Sequence, residues 1–295
     1  MGALSVSARA KVNLFLAVGE RLPSGYHQVQ TILQSVSLVD ELIISSASDI
    51  VFRCDDKSLA GETNLVVRAA RILRKRYEVG RGAALSLSKS IPIGAGLGGG
   101  SADAAAALVG LSHFWDLTVP LDELWEIAAE LGADIPFCLT GGTAVAMGFG
   151  EKTKSLPDLE LGEFLIVKPH GSLETASVYR EWDKSSLGRP AEGADRLDSM
   201  LKAIDSNDRD AVIAGLENDL EGAAERLLPE AREVRETALR FGAEAAMATG
   251  SGSAVMVFPS KNKDVRNLAA AFAGEPVETL VVHAVRDGVV ISDAH

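Results

Sequence analysis

Gly94, Gly96, Gly98, Gly99 and Gly100 crowd one seven-residue window, after an alternating apolar stretch and directly before an alanine-rich one. Without a Cβ, a glycine lets neighbouring N–H groups come close to an anion, and a helix that starts there adds the positive end of its dipole. A plain strand-to-helix turn requires fewer glycines, so the window predicts a phosphate-binding loop held between a strand and a helix. Ser101 stands where that helix is expected to begin, and its hydroxyl can cap the helix or reach a phosphate or a metal ion.

No Gly-Lys-Ser or Gly-Lys-Thr follows the loop, which excludes the Walker pattern. Gly94, Gly96 and Gly99 do satisfy the spacing of the dinucleotide fingerprint. That motif requires a return to a buried parallel strand, whereas here one helix leads to another. Asp116, near the acidic position of such a motif, falls in an interhelical turn with Pro120 and has no strand end to present it. A nicotinamide-dependent oxidoreductase is therefore a minor alternative, separable by comparing ATP and NAD binding.

Strands and helices alternate around the loop. Residues 4–16 read as a strand in which Lys11 and Asn13 interrupt an apolar alternation, and residues 32–45 as one or two more. Thr63 or Asn64 caps a basic helix through residue 76, and residues 83–91 form a strand ending at Pro92. Residues 101–111 and 121–131 form helices, and residues 143–149 return to strand. The charged stretch 150–162, with Pro157, divides the chain into domains 1–155 and 156–295. In the second, strands are expected at 164–167, 245–249, 254–258 and 279–285, and helices at 175–182 and 265–272. Acidic helices broken near 205–208 and at Pro229 fill residues 197–239. Short turns join many of the strands, so a two-domain α+β architecture fits better than a doubly wound parallel sheet.

Acidic residues outnumber basic ones 41 to 29, a net charge of −12, which argues against a nucleic-acid partner. Any phosphate must be held locally, by backbone amides and a few cations. No apolar run nears the roughly 18 residues of a membrane span. Residues 12–18 are apolar behind Arg9 and Lys11, but they lack a small-residue cleavage site and are read as part of the first strand. Cys54 and Cys138 cannot build a disulfide framework and are expected to be small buried thiols, in keeping with a reducing cytoplasm.

The segment Pro92-Ile-Gly-Ala-Gly-Leu-Gly-Gly-Gly-Ser101-Ala-Asp-Ala-Ala resembles the phosphate loop of the GHMP kinase superfamily. Lys11-Val-Asn-Leu-Phe-Leu and Ala248-Thr-Gly-Ser-Gly-Ser253 are similar to two further motifs of that superfamily, in the same order along most of the chain. Pro23-Ser-Gly-Tyr-His27 and Gly132-Ala-Asp-Ile-Pro-Phe137 resemble the members that act on a cytidine-diphosphate-linked methylerythritol. The resemblance implies the two-domain GHMP fold, an N-terminal domain like ribosomal protein S5 and a ferredoxin-like C-terminal domain, with ATP and substrate meeting between them. It implies ATP-dependent phosphorylation of the substrate's 2-hydroxyl, a step of the non-mevalonate route to isoprenoid precursors, with Mg²⁺ on the phosphates and its ligands unassigned. The ATP loop would comprise Pro92, Ile93, Gly94, Ala95, Gly96, Leu97, Gly98, Gly99, Gly100, Ser101, Ala102 and Asp103. Many superfamily members carry a second serine after Ser101, where this chain has Ala102-Asp103. A cytoplasmic enzyme of a small-molecule substrate is implied, with no nucleic-acid or membrane partner and a homodimer kept open.

Phosphoryl transfer needs an in-line hydroxyl, charge stabilisation on the moving group and a place for the hydroxyl proton. Asp134, between Gly132 and Pro136, reads on spacing alone as a helix cap, and the resemblance makes it the candidate base. Lys11 is an ordinary strand lysine unless its ammonium lies beside Asp134, where it would keep the carboxylate ionised and stabilise developing charge. Asn13 shares the strand face of Lys11 and can hydrogen-bond substrate. Cytosine offers a flat ring and a polar edge, which Tyr26 and His27, otherwise an exposed loop pair, can match; the resemblance assigns His27 to the base. Thr175 and Tyr179 would approach from the second domain, although Val178-Tyr179 equally suits a helix core. Gly250, Ser251 and Gly252 form a hairpin turn that, in the family, packs against the phosphate loop and borders the substrate. His113, His170, His283 and His295 show no metal-ligand spacing, and Asn218-Asp219 receives no chemical role. A sibling kinase with a homoserine- or mevalonate-like substrate presents no base for Tyr26 and His27 to read. A nucleotide-binding regulator without catalysis would have no need of both Lys11 and Asp134.

Overall fold

Val6, Ala8, Ala10, Val12 and Leu14 alternate along the first strand, β1 (Leu4–Arg21), and all are buried, so one face of that strand is committed to the core. The chain is described by a computed structural model over residues 2–186, 193–261 and 263–293, which leaves His295 outside the described residues. β1 runs past residue 16 because Ala17 and Val18 remain paired with Gln30 and Val29 of β2 (His27–Ala47), itself one continuous strand. β3 (Ile50–Cys54) and α1 (Leu65–Arg76) follow, the helix starting where Asn64 accepts a hydrogen bond from the Val66 N–H. β4 (Gly82–Ser88) stops short of Ile91 because the N–H groups of Ser90 and Ile91 donate to Asp40 Oδ1 instead of to a strand.

α2 (Gly99–Phe114) begins two residues earlier than expected. Its N-cap is Gly98, at φ +69°, and Ser101 lies inside the first turn without capping it. A Cβ on Gly110 would lie 2.6 Å from Ile44 and 2.8 Å from Val6, so this alanine-rich helix rests directly on the sheet. α3 (Leu121–Leu131), α4 (Ile135–Thr140), β5 (Thr143–Met147) and β6 (Lys152–Ser155) complete the first half. Asp116 sits in the α2–α3 turn at φ +57°.

The second half opens with β7 (Glu163–Pro169), α5 (Thr175–Ser186), α6 (Gly193–Asp205) and α7 (Arg209–Ala214). Then come β8 (Glu217–Asn218), α8 (Glu221–Leu227), α9 (Pro229–Arg240), β9 (Ala243–Ala248) and β10 (Val255–Pro259). α10 (Val265–Ala270), β11 (Val277–His283) and β12 (Val289–Asp293) close it. β11-β7-β10-β9 form an antiparallel four-stranded sheet, the β-α-β-β-α-β arrangement of ferredoxin-like domains. Leu165 and Val167 pack with residues of α9 and α10, whereas Phe164 and Ile166 face the main core, so both sides of this sheet are covered.

β12-β1-β2-β4-β3, with β5, β6 and β8, form the larger sheet. A division at residue 155 separates the two sheets but leaves β8 and β12 on the far side, since both pair with β1. The chain thus returns to its first strand at its end. No described helix is long and apolar enough to cross a membrane.

Candidate active site

A cleft of about 930 Å³ runs along the phosphate loop and is lined from both halves of the chain. The loop is fixed on three sides. Lys11 donates its N–H to Leu97 O (3.0 Å), Ala254 to Ala95 O (3.1 Å) and Leu173 to Gly94 O (3.4 Å). Gly94, Gly96 and Gly98 have φ of +64°, +78° and +69°. A Cβ would meet Thr249 O at 2.2 Å on Gly96, and Lys11 Cγ at 2.8 Å on Gly98. The first N–H groups of α2 have no partner within the helix and lie beside this cleft, a fit to the phosphates of a nucleotide. Gly96→Ala is expected to push the two loops apart and lower turnover about a hundredfold, the scale of a 1 Å misplacement. Steady-state kinetics check it, and a variant with wild-type turnover would show that this contact is not needed.

The pairing of β1 with β2 shifts register between Arg9 and Lys11 and again between Asn13 and Phe15, so Lys11 and Asn13, paired with Ser35 and Leu33, lie on a short stretch between two irregularities. Lys11 Nζ donates to Asn13 Oδ1 (2.7 Å) and lies 3.4 Å from Asp134 Oδ2. Asn13 donates through Nδ2 to Thr31 Oγ1 (2.8 Å) and through its N–H to Thr249 Oγ1 (2.9 Å). Asp134 occupies the N-cap position of α4, yet its carboxylate accepts no N–H from that helix. Capping is therefore not its role. The Lys11 side chain is 5% exposed and that of Asp134 35%, so the pair joins a buried cation to a carboxylate open to the cleft. Across them, Gly250 approaches so closely that a Cβ would sit 3.0 Å from Asn13 Oδ1. Asn218, given no role from sequence, donates to Ala248 O (2.7 Å) and Gly250 O (2.8 Å), and Asp219 accepts from the Val18 N–H (2.8 Å). Together they fasten the late loop to β1.

At one end of the cleft the imidazole of His27 is buried. It stacks on Tyr179 (centroids 5.2 Å, 18° between planes), meets the edge of Trp182 and faces Asp183. One face of Tyr179 is thus occupied by His27 rather than offered to a ligand. Burial, with the Asp134 carboxylate nearby, pushes the Tyr179 phenol up and keeps it neutral. Tyr26 is the exposed aromatic, 62% accessible, leaning on Phe149 at 5.4 Å. Thr175 and Ser251 hydroxyls share a hydrogen bond of 3.0 Å across the cleft. Two expected site residues do not line it. Ala102 points into the core under α2, and Gly252 faces Leu173 and Ala224. Phe149 and Asp183, which do line it, carry no sequence motif.

Beneath the loop, Lys89 Nζ is clasped between Asp40 and Asp103, donating to Oδ2 of each, and all three side chains are buried. Burial, against the pull of Lys89, pushes the Asp103 carboxyl up to about 7, and its Oδ1 is buried without a partner. No cluster of three or more His, Cys, Asp or Glu residues that could hold a metal occurs among the described residues. The donors beside the loop that suit a cation shared with phosphates are the Ser101 hydroxyl and this orphaned Asp103 oxygen. Cys138 is buried as expected, but Cys54 is only half-buried, at the outer strand β3.

The glycine loop at the start of α2, the cleft behind it and the ferredoxin-like second sheet together define a GHMP-type kinase. The GHMP kinases N-terminal domain matches residues 64–142 and the GHMP kinases C-terminal domain matches residues 200–278. The 4-diphosphocytidyl-2-C-methyl-D-erythritol kinase of Moorella thermoacetica is 39% identical over 284 residues, 95% of this chain and 99% of that one. The enzyme of the same name from Listeria monocytogenes is 36% identical, over 92% and 94%. A crystal structure of 4-(cytidine 5'-diphospho)-2C-methyl-D-erythritol kinase superposes with a TM-score of 0.75 at 32% identity, covering 95% and 99% of the two chains. Homoserine kinase from Cytophaga hutchinsonii, at 18% identity and a TM-score of 0.76 over 99% and 98%, shares the fold. The chain belongs to the 4-diphosphocytidyl-2-C-methyl-D-erythritol kinase family of GHMP kinases.

Proposed function

We propose that this chain transfers the γ-phosphoryl group of ATP to the 2-hydroxyl of 4-diphosphocytidyl-2-C-methyl-D-erythritol, giving the 2-phosphate and ADP. The reaction is a step of the non-mevalonate route to isoprenoid precursors, and the reading is of a cytoplasmic enzyme; no described helix is long and apolar enough to cross a membrane. One observation carries the reading: Lys11 and Asp134 meet in the same cleft that the phosphate loop borders.

The N–H groups at the start of α2 take the phosphates of ATP. Leu59, Leu65 and Ile91 give the far end of the cleft apolar walls for the adenine, with Asn64 beside them. The base of the substrate lies on the exposed ring of Tyr26 and turns its polar edge to His27. Asp134 accepts the hydroxyl proton as the oxygen attacks phosphorus, and Lys11 offsets the negative charge that gathers there. Asn13 holds the Lys11 ammonium in place. Mg²⁺, when bound near Ser101 and Asp103, would supply neutralising charge to the phosphates.

The test is ³¹P NMR of the purified protein with Mg-ATP and the cytidylyl substrate. A new phosphomonoester resonance rising with ADP is expected. Intact ATP after prolonged incubation would leave the fold standing and remove the substrate.

A further inference from the structure

From α5, Asp183 reaches the imidazole of His27, with Oδ1 2.8 Å from Nε2. Tyr179 against one face and Trp182 at the edge hold the ring in a single orientation. An ionised carboxylate can only accept hydrogen bonds, so the nitrogen beside Asp183 carries the proton. In a neutral imidazole the other nitrogen is then an acceptor. Nδ1 makes no hydrogen bond among the described residues, and His27 lines the cleft.

We infer that Asp183 is a positioning residue for base selection: it fixes His27 as the Nε2–H tautomer and so makes Nδ1 an acceptor for the exocyclic amine of cytosine. Uracil presents a carbonyl at that position, and two lone pairs would face each other with no proton between them. A site that pairs one polar group and leaves its counterpart unpaired discriminates strongly. The inference rests on the cytidylyl reading above. It assigns to Asp183 a role that neither its charged neighbours on α5 nor any motif announces.

The experiment has two arms. Two-bond ¹H–¹⁵N spectra of the imidazoles at pH 8, assigned with His27→Asn, read the tautomer in the enzyme alone. Kinetics with cytidine- and uridine-diphosphate-linked substrates, on the wild type, Asp183→Ala and Asp183→Glu, read the selection. The wild type is expected to show Nε2–H and Asp183→Ala a mixture of tautomers. In Asp183→Ala, KM for the cytidylyl substrate should rise about tenfold and the preference for cytosine fall about tenfold, with kcat and KM for ATP within about twofold. Asp183→Glu should recover part of the preference. Nδ1–H in the wild type, or an unchanged preference in Asp183→Ala, would overturn the inference. So would a lost preference with the tautomer intact, because Asp183 would then touch the base itself. If neither substrate is phosphorylated, the cytidylyl reading fails on its own, and the spectra with CDP and UDP binding still decide the tautomer and its consequence.

Discussion

Asp134→Asn is expected to lower kcat by about a hundredfold to ten-thousandfold, the range a positioned general base contributes, while KM for ATP stays within about twofold. The amide keeps the shape of the carboxylate and cannot take the proton of the substrate hydroxyl. Stability should hardly move, because the carboxylate does not cap α4 and only its 3.4 Å pair with Lys11 is weakened. Lys11→Met should fall by a similar factor for a different reason: the cation that offsets charge on the attacking oxygen and on Asp134 is gone. Groups that act as a unit lose their effect together, so the double variant should be little worse than the worse single. Steady-state kinetics with circular-dichroism melting check all three. A single variant that keeps more than a tenth of wild-type turnover, or a double whose defects multiply fully, would remove the pair from the mechanism.

The parts of this molecule legible in its sequence are those whose physics is local. The glycine window declares itself because positive φ values there coincide with approaches that leave no room for a Cβ, and Asn64 marks α1 by capping it. Lys11 and Asn13 share the strand face of Ser5, Ser7 and Arg9, opposite the buried Val6, Ala8, Ala10, Val12 and Leu14, and are buried all the same. What the sequence hides is pairing over long separations. β8 has two residues, too few for any periodicity, and β12 is recognisable only once β1 is there to pair with it. Asp183 sits among charged residues on α5, and only the fold brings it to His27, 156 positions away. Ser101 set the start of α2 two residues late, because the left-handed Gly98 is the N-cap and no side chain caps the helix.

The buried clasp under the phosphate loop was equally hidden: Asp40 and Lys89 look like ordinary strand-surface charges until the strands place them against Asp103. Lys89→Met is expected to cost about 3–5 kcal/mol, the usual penalty for removing one partner of a buried charge network. At about 2–4 °C per kcal/mol, the melting temperature should drop by roughly 10 °C. Two carboxylates would then face each other with no cation between them. Asp40 retains the N–H groups of Ser90 (2.6 Å) and Ile91 (2.8 Å), so Asp103, with one oxygen already unpartnered, is the group that must take up a proton. A carboxyl whose folded pKa is raised above its unfolded value favours the fold when protonated and loses that contribution as pH rises. Asp103 stands near 7 in the wild type, and removing Lys89 pushes it further up. The deficit of Lys89→Met against wild type should therefore be smaller at pH 5.5 than at pH 8. Adding Asp103→Asn should recover part of the stability at pH 8 and little at pH 5.5. Thermal melts of the three proteins at both pH values decide it. Equal deficits at the two pH values would mean that Asp103 is not the group left uncompensated, and a variant melting with the wild type would mean that water reaches the clasp and screens it.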